Sequence, residues 1–429
     1  MVPTSQSAWV SFLKRLSIWL PALALACLSV LLRDLPQLAN QADFSHYYVS
    51  ALMMRQGFDP YTTNLRPLAE SIRLNVADIN IGTYPPTFML CFEPLTLLPP
   101  LPAYWLWIAM NVLFLAIALY LLLDGLPTDT DLRLALVALA ILYFPISDNI
   151  CYAQTQILIL LLLILFIRWV GAGRDALAGS ILALAGLLKV FPIILIGYLL
   201  LRRLYKPVIY TAVASIAGGV VTLALVGVDR SLHFVQALPF LTSRHWLSSS
   251  YNVALGAMVS RLFWWIGVAD PRVEFARRVA VVMAELALFA LTARATLRSS
   301  KLSDRSDERI IALWVVTAVL LSPTAWIHYL VLLLIPYAVL TRERLRGAAS
   351  LVAARLGIAS YLMAEVFLVL YMVAKIQGKT ALVLPPFARL AVDNVWPLCV
   401  LLAYGAAYSL AVETIPHAAP TSKAARSSP

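Results

Sequence analysis

Asp43, His46, Tyr47 and Tyr48 crowd into six consecutive residues, and Asp59, Tyr61 and Tyr84 follow in the same stretch of chain. A carboxylate among phenols and an imidazole can deprotonate, hold or stack on a polyhydroxylated molecule. Other polar residues interrupt apolar sequence at Gln154 and Gln156, at Lys189 shortly before Pro192, at Asn252, and at Trp326 and His328 after Ser322-Pro323. Each of these costs free energy in an apolar setting unless it has a partner or a task. Carboxylates, amides, aromatics and a few cations together suit a sugar and a phosphate. Cys27, Cys91, Cys151 and Cys399 lie far apart with no C-x-x-C pair and no His at ligand spacing, so neither a metal site nor a disulfide framework is expected.

The elements that must position these residues follow from composition. Of 429 residues, 61% are apolar and 13% charged, against roughly 45–50% and about 25% in soluble globular chains. That excludes a soluble enzyme, a disordered chain and a coiled coil, and leaves an all-α polytopic membrane protein. The net charge of +11 comes without a Lys/Arg run long enough for a basic groove. Those charges therefore set topology and meet lipid headgroups, and no nucleic-acid partner is expected.

About 20 apolar residues cross a bilayer as a helix. Runs that qualify, some short or interrupted by Pro, lie at 17–33, 102–123, 134–147, 154–170, 175–188, 190–202, 207–227, 276–298, 309–323, 325–340, 349–373 and 393–413, so about 12 transmembrane helices are expected. The first run continues past Ala24-Leu25-Ala26-Cys27 to Leu32 without a charge and reads as an uncleaved span rather than a signal peptide. Lys and Arg concentrate on the N-terminal side of the membrane, for example Arg202, Arg203, Lys206, Arg342, Arg344 and Arg346. The short connections on the other side hold only Lys189, Lys375, Lys379 and Arg389. Both termini are therefore expected in the cytoplasm.

Two long loops, 34–101 and 228–275, then face outward. They are too apolar and aromatic for linkers and are expected to form juxtamembrane helices, including Tyr47–Gln56 with Gly57 as its C-cap. Tyr84 to Leu98 contains Glu93 and three prolines, and is expected to lie along the interface rather than cross. Residues 1–413 form one integral membrane domain with these external loops, and 414–429 a disordered cytoplasmic tail.

Several of these stretches resemble glycosyltransferase family 87. Asp43-Phe-Ser-His-Tyr-Tyr48, Gly57-Phe-Asp-Pro-Tyr61 and Tyr84-Pro85-Pro86 are similar to the family's first external loop. Ala153-Gln154-Thr155-Gln156 resembles its Gly-Gln-x-Asn, with Ala153 for Gly and Gln156 for Asn. Lys189-Val-Phe-Pro192 resembles its Lys-Pro helix break, and Ser322-Pro323-Thr-Ala-Trp326-Ile-His328 its Ser-Pro-x-x-Trp-x-His segment. Asn252 with Arg261 fits an Asn-initiated juxtamembrane helix loosely, Val253 standing where Gln is usual. The resemblance covers about 17–340.

It implies the C-type glycosyltransferase architecture in a bacterial cytoplasmic membrane, with the active site facing outward. It also implies inverting, metal-independent transfer of a sugar, mannose first, from a polyprenyl-phosphate donor to a glycolipid or glycan hydroxyl. No cofactor is implied beyond that lipid-linked co-substrate. Asp43 then serves as the base, an N-cap role for the following helix being compatible with it. His328 and Lys189 would hold the donor phosphate; alternatively His328 satisfies a helix end and Lys189 snorkels to headgroups. Tyr47, Tyr48, Tyr61 and Tyr84 either stack on sugar or form an interfacial belt. Gln154, Gln156, Asn252 and Trp326 would contact substrate, although the two Gln residues could instead bridge helices. Glu285 and Glu365 match no motif and are expected to bridge helices. The competing readings are a lipid-linked sugar flippase or transporter, and the same chemistry with a pentose donor.

Overall fold

The computed structural model describes residues 43–76, 81–124, 126, 130–241, 243–266, 271–299, 307–376 and 393–412. The expected span at 17–33 and the tail at 414–429 lie outside the described residues. Among the described residues the chain is all-helical, and its β pairing is confined to an isolated bridge between Asn252 and Trp326.

Every described run expected to be apolar and helical is helical, but prolines in the first turn cut several of them short. Proline is tolerated at the start of a helix, where its missing N–H costs nothing. Pro145 opens the short helix Phe144–Cys151, and Pro192 opens the 3-10 turn Phe191–Leu195. Among the described residues, four helices meet both the length and the hydropathy needed to cross a membrane: Pro100–Leu123, Tyr205–Val226, Pro271–Arg298 and Val395–Val412. A fifth span results if Thr130–Leu142 and Phe144–Cys151, bent by 52° at Tyr143, count as one. Gln156–Gly171, Asp175–Leu188 and Glu308–Leu320 have 16, 14 and 13 residues. At 1.5 Å per residue none covers the roughly 30 Å hydrocarbon core alone. Four or five long spans are thus identified among the described residues; the run expected at 17–33 lies outside them, Leu351–Ile376 is a further unbroken apolar helix of 26 residues, and breaks divide several of the other expected runs.

Burial explains why some of the short elements are apolar all round. Glu308–Leu320 is buried at every position from Ile310 onward, and Ile327–Leu333, a 3-10 segment, is buried throughout. Tyr205–Val226 is the opposite case, with Ile209, Val213, Ile216 and Val220 exposed. Glu365 bridges helices as expected: its carboxylate accepts the Phe144 N–H at 3.0 Å, satisfying a donor freed at the 52° bend. Glu285 lies against Gly256 of the helix Leu255–Ile266.

The first loop is built as helices, with one shift of boundary. The helix expected from Tyr47 already includes Asp43, the first described residue, and runs to Arg55. Gly57 ends it at φ +88°, with Gly57 N–H bonded to Met54 O and Phe58 N–H to Met53 O, both 3.0 Å. Tyr84 to Leu98 contains the seven-residue helix Pro86–Phe92 and the 3-10 turn Glu93–Leu97, too little to cross a membrane. The second loop folds as Val228–Leu241, Arg244–Ser248 and Leu255–Ile266.

Helices Asp175–Leu188 and Tyr205–Val226 approach closely at Gly179, where an added Cβ would stand 2.5 Å from Tyr210 Cβ and 2.6 Å from Pro207 O. The latter contact is with backbone, so relief requires the helices to part. Gly179→Ala is expected to cost ~1–3 kcal/mol, read as a fall in apparent Tm of the protein in detergent. Gly219→Ala, with nothing within 4 Å of the added carbon, is expected to cause no fall.

Candidate active site

The site is organised around the turn that follows Phe144–Cys151. Ala153 N–H bonds to Ile150 O at 3.1 Å and Gln154 N–H to Asn149 O at 2.9 Å, a helix termination that needs a left-handed residue. Ala153 supplies it at φ +51°, at the position where the related motif has Gly. An L-residue there costs roughly 1–2 kcal/mol. The Trp107 indole donates to Ala153 O at 2.7 Å and pins the turn.

This turn delivers Gln154 to the middle of the first loop. Its amide nitrogen donates to Asp43 Oδ2, and its oxygen accepts the Tyr47 hydroxyl at 2.7 Å. Tyr47, having donated, can accept from the Tyr84 hydroxyl 2.9 Å away. The acceptor-only carboxylate and the donating phenol leave one orientation for the amide. Asp43 and Tyr47 share a helix face because they are four residues apart. Tyr47 is itself fully buried, edge-on to Tyr84, Phe88 and Phe92 with ring centroids 4.5, 5.1 and 5.7 Å away. It is a support for the amide rather than an open stacking surface.

A cleft of about 260 Å³ opens beside this network. Asp43 and His46 line it from the first helix, Thr83 and Tyr84 from the following segment, and Asp148, Tyr152 and Gln154 from the bent helix and its turn. Trp246 and Tyr251 come from the second loop, and Trp326, Ile327 and His328 from the segment after Ser322-Pro323. His328 Nδ1 lies 3.8 Å from Asp148 Oδ2. Lys189 caps the helix Asp175–Leu188 and rests over the rings of Tyr329 and Tyr84, 4.5 and 5.3 Å from their centroids.

Burial pushes the Asp43 carboxyl up to about 6, against the Gln154 hydrogen bond and the Lys189 charge, which both pull it down. Burial likewise holds the His46 imidazole down at about 4, opposed by the backbone of Ile81, so that ring is neutral at pH 7.

The structure brings together Asp43, Tyr84, Gln154, Trp326 and His328 in the cleft wall, with Tyr47 and Lys189 packed against it. It does not bring Tyr48, Tyr61, Gln156 or Asn252 to that wall. Tyr48, one residue round the helix from Tyr47, donates to Leu98 O at 2.7 Å. Tyr61 donates to Tyr84 O at 2.8 Å and packs on Phe234. Gln156 is buried in the first turn of its helix, where its side-chain oxygen accepts from Thr155. Asn252 is a clasp. Its side-chain oxygen accepts the N–H groups of Ala254 and Ala325 at 3.1 and 3.2 Å, while Val253 N–H bonds to Ala325 O at 2.6 Å. Arg261 gathers the carbonyls of Ser249 and Asn252 at 2.6 and 3.0 Å. Together they seat Trp246 edge-on to Trp326, centroids 5.3 Å apart.

Asp148 is the cleft residue that sequence reasoning missed. It stands at the end of an apolar run, six residues before Gln154, and an acid in that setting is the signal that could have revealed it. Trp246, Tyr251 and Tyr152 carried no such signal, since aromatics are ordinary at a membrane interface. Among the described residues no group of three or more His, Cys, Asp or Glu could hold a metal ion.

Described residues that are all-helical, with membrane-length apolar helices and a polar cleft beside shorter, broken ones, are those of a membrane protein. The chain belongs to glycosyltransferase family 87, whose model matches residues 83–323. It is 29% identical over 248 residues to an alpha-(1->3)-arabinofuranosyltransferase of Mycobacterium tuberculosis, covering 55% of this chain and 53% of that protein. It is also 29% identical over 255 residues to a polyprenol-phosphate-mannose-dependent alpha-(1-2)-phosphatidylinositol pentamannoside mannosyltransferase of the same species, covering 58% and 55%. The chain thus spans about half the length of the curated relatives it matches. No solved structure matches it.

A carboxyl made less acidic by folding costs stability once ionised. The cost is absent below pH 3.8, where folded and unfolded forms are both protonated, and grows as pH rises through about 6. Asp43→Asn keeps an oxygen to accept from Gln154 and removes that charge. Its apparent Tm is expected to exceed wild type at pH 8 and to match it at pH 4, measured by thermal unfolding across that range.

Proposed function

We propose that this protein transfers a sugar from a polyprenyl-phosphate donor to a hydroxyl of a glycolipid or glycan, with inversion at the transferred carbon. The observation that carries this reading is Asp43 held by Gln154 in a cleft it shares with His328. In the reaction, Asp43 removes the acceptor proton as the hydroxyl oxygen attacks the anomeric carbon, and the carbon–oxygen bond to phosphate breaks. His328 and Lys189 stabilise the departing phosphate. Tyr84 and Trp326 contact the sugar, while Gln154 orients the base. A single base suffices for inversion, whereas retention needs a carboxylate acting as nucleophile about 5 Å from the acid. The reaction is proposed to require neither metal nor nucleotide sugar.

Mannose is the first donor to test, and arabinofuranose the second, because the two kinds of relative match equally well. In this reading the short, broken helices count with the long ones, giving about 12 spans in the C-type arrangement. Both termini are cytoplasmic and the cleft faces outward across the bacterial cytoplasmic membrane.

Purified protein given a radiolabelled polyprenyl-phosphate sugar and a mycobacterial glycolipid extract provides the assay. Asp43→Asn is expected to lose roughly 10²–10⁴-fold in rate, the usual worth of a general base. His328→Ala and Lys189→Ala should each lose roughly tenfold to hundredfold, as for a charge-assisted hydrogen bond. Wild-type turnover should rise as pH passes through about 6, where Asp43 ionises, and should persist in EDTA. Movement of the labelled lipid across vesicles without transfer would replace this reading with a flippase.

Orientation is tested separately. A cysteine placed at position 60 or 245 is expected to react with an impermeant thiol reagent in intact cells, and one at 204 is not. The reverse pattern would put the cleft on the cytoplasmic side.

A further inference from the structure

Asp148 and His328 form a second acid–imidazole arrangement in the cleft that the reaction above leaves unexplained. Both side chains are nearly enclosed, 12% and 8% exposed. The acid is placed by the 52° bend and its proline-opened helix, the imidazole by a 3-10 segment buried along its whole length. At 3.8 Å, Asp148 Oδ2 and His328 Nδ1 are within ion-pair range but beyond a direct hydrogen bond. His328 Nε2 is buried with no hydrogen-bond partner. Among the described residues, Asp43 repels Asp148, and Lys189 acts on both Asp43 and His328.

A neutral imidazole has one donor, so His328 cannot donate from Nε2 to a phosphate oxygen while its proton sits on Nδ1. It must become imidazolium, and in a desolvated cleft that cation needs an anion on its far side. We propose that Asp148 is a positioning residue whose carboxylate, across the 3.8 Å gap, favours the proton of His328 on Nδ1, leaving Nε2 as the nitrogen that meets the donor phosphate and supporting the imidazolium that forms there. The second proton comes from solvent as phosphate binds, and Asp148 makes and breaks no covalent bond. This inference rests on the donor-phosphate reading of His328 for its purpose, but not for the pairing itself.

The test separates the two. Protein labelled with [15N]histidine, which has five histidines, is reconstituted in lipid, and His328 is assigned by its loss in His328→Gln. Nitrogen-15 shifts then report which ring nitrogen carries a proton, without any substrate. Wild type is expected to hold the proton on Nδ1, and Asp148→Asn to move most of it to Nε2. With undecaprenyl phosphate added, both nitrogens should be protonated in wild type and only one in the variant. In the transfer assay Asp148→Asn should lower kcat roughly tenfold to hundredfold, as orienting partners do, with KM for the acceptor unchanged. The double variant with His328→Ala should be no slower than His328→Ala alone. An unchanged tautomer in Asp148→Asn, or losses that multiply in the double variant, would overturn the proposal. Failure of wild type to transfer sugar would count against the donor reading, and the ligand-free tautomer would still decide the pair.

Discussion

Holding an ionisable carboxyl between apolar helices is the constraint around which the cleft is arranged. Burial raises the affinity of Asp43 for its proton, and Gln154 and Lys189 return part of that shift. The result is a carboxyl with an affinity for protons close to what a base needs near neutral pH. Gln154 can serve it only because its own amide is oriented by Tyr47, and Tyr47 is held by the ring cluster of Tyr84, Phe88 and Phe92. A hydrophobic cluster in the first loop thus determines the direction of one hydrogen bond in the cleft.

Broken helices make the polar cleft possible. An uninterrupted helix satisfies its own backbone and offers lipid only side chains, so polar chemistry at membrane depth requires a break. The breaks here fall beside the cleft: the bend at Tyr143, the left-handed turn at Ala153, the 3-10 turn after Lys189, and the segment from Trp326. The prolines that shorten the apolar runs are therefore tied to placing Asp148, Lys189 and His328. Glu365 meets the cost of one break by accepting the Phe144 N–H.

The second loop contributes shape more than charge. Asn252 spends its side-chain amide on backbone groups of the loop and of Ala325, while Arg261 gives its Nη1 to loop carbonyls and its Nε to the Asn394 side chain. Residues of this kind look like binding residues in a sequence because they are polar in apolar surroundings. In the fold they are fasteners that present the aromatic rings of Trp246 and Trp326.

Much of this was legible in the residues themselves. Apolar runs, the Gly57 cap, the absence of a membrane-length helix in Tyr84 to Leu98 and the family are local or ordered properties, readable from periodicity, turn chemistry and motif order. That Asp43 and Tyr47 share a helix face was not legible, because the helix was expected only from Tyr47 onward. The division of the long apolar runs was harder to read, since a proline at a first turn and a proline inside a bent span look alike in sequence. Three-dimensional packing decided the rest: that Tyr48 and Tyr61 turn away to backbone carbonyls, that Gln154 spends its amide on Asp43 and Tyr47, and that Asp148 meets His328. Those pairings join residues separated by more than a hundred positions, 43 with 154 and 148 with 328. Composition and spacing carry no information about which polar side chain, among several competing for partners in a dry interior, will reach which.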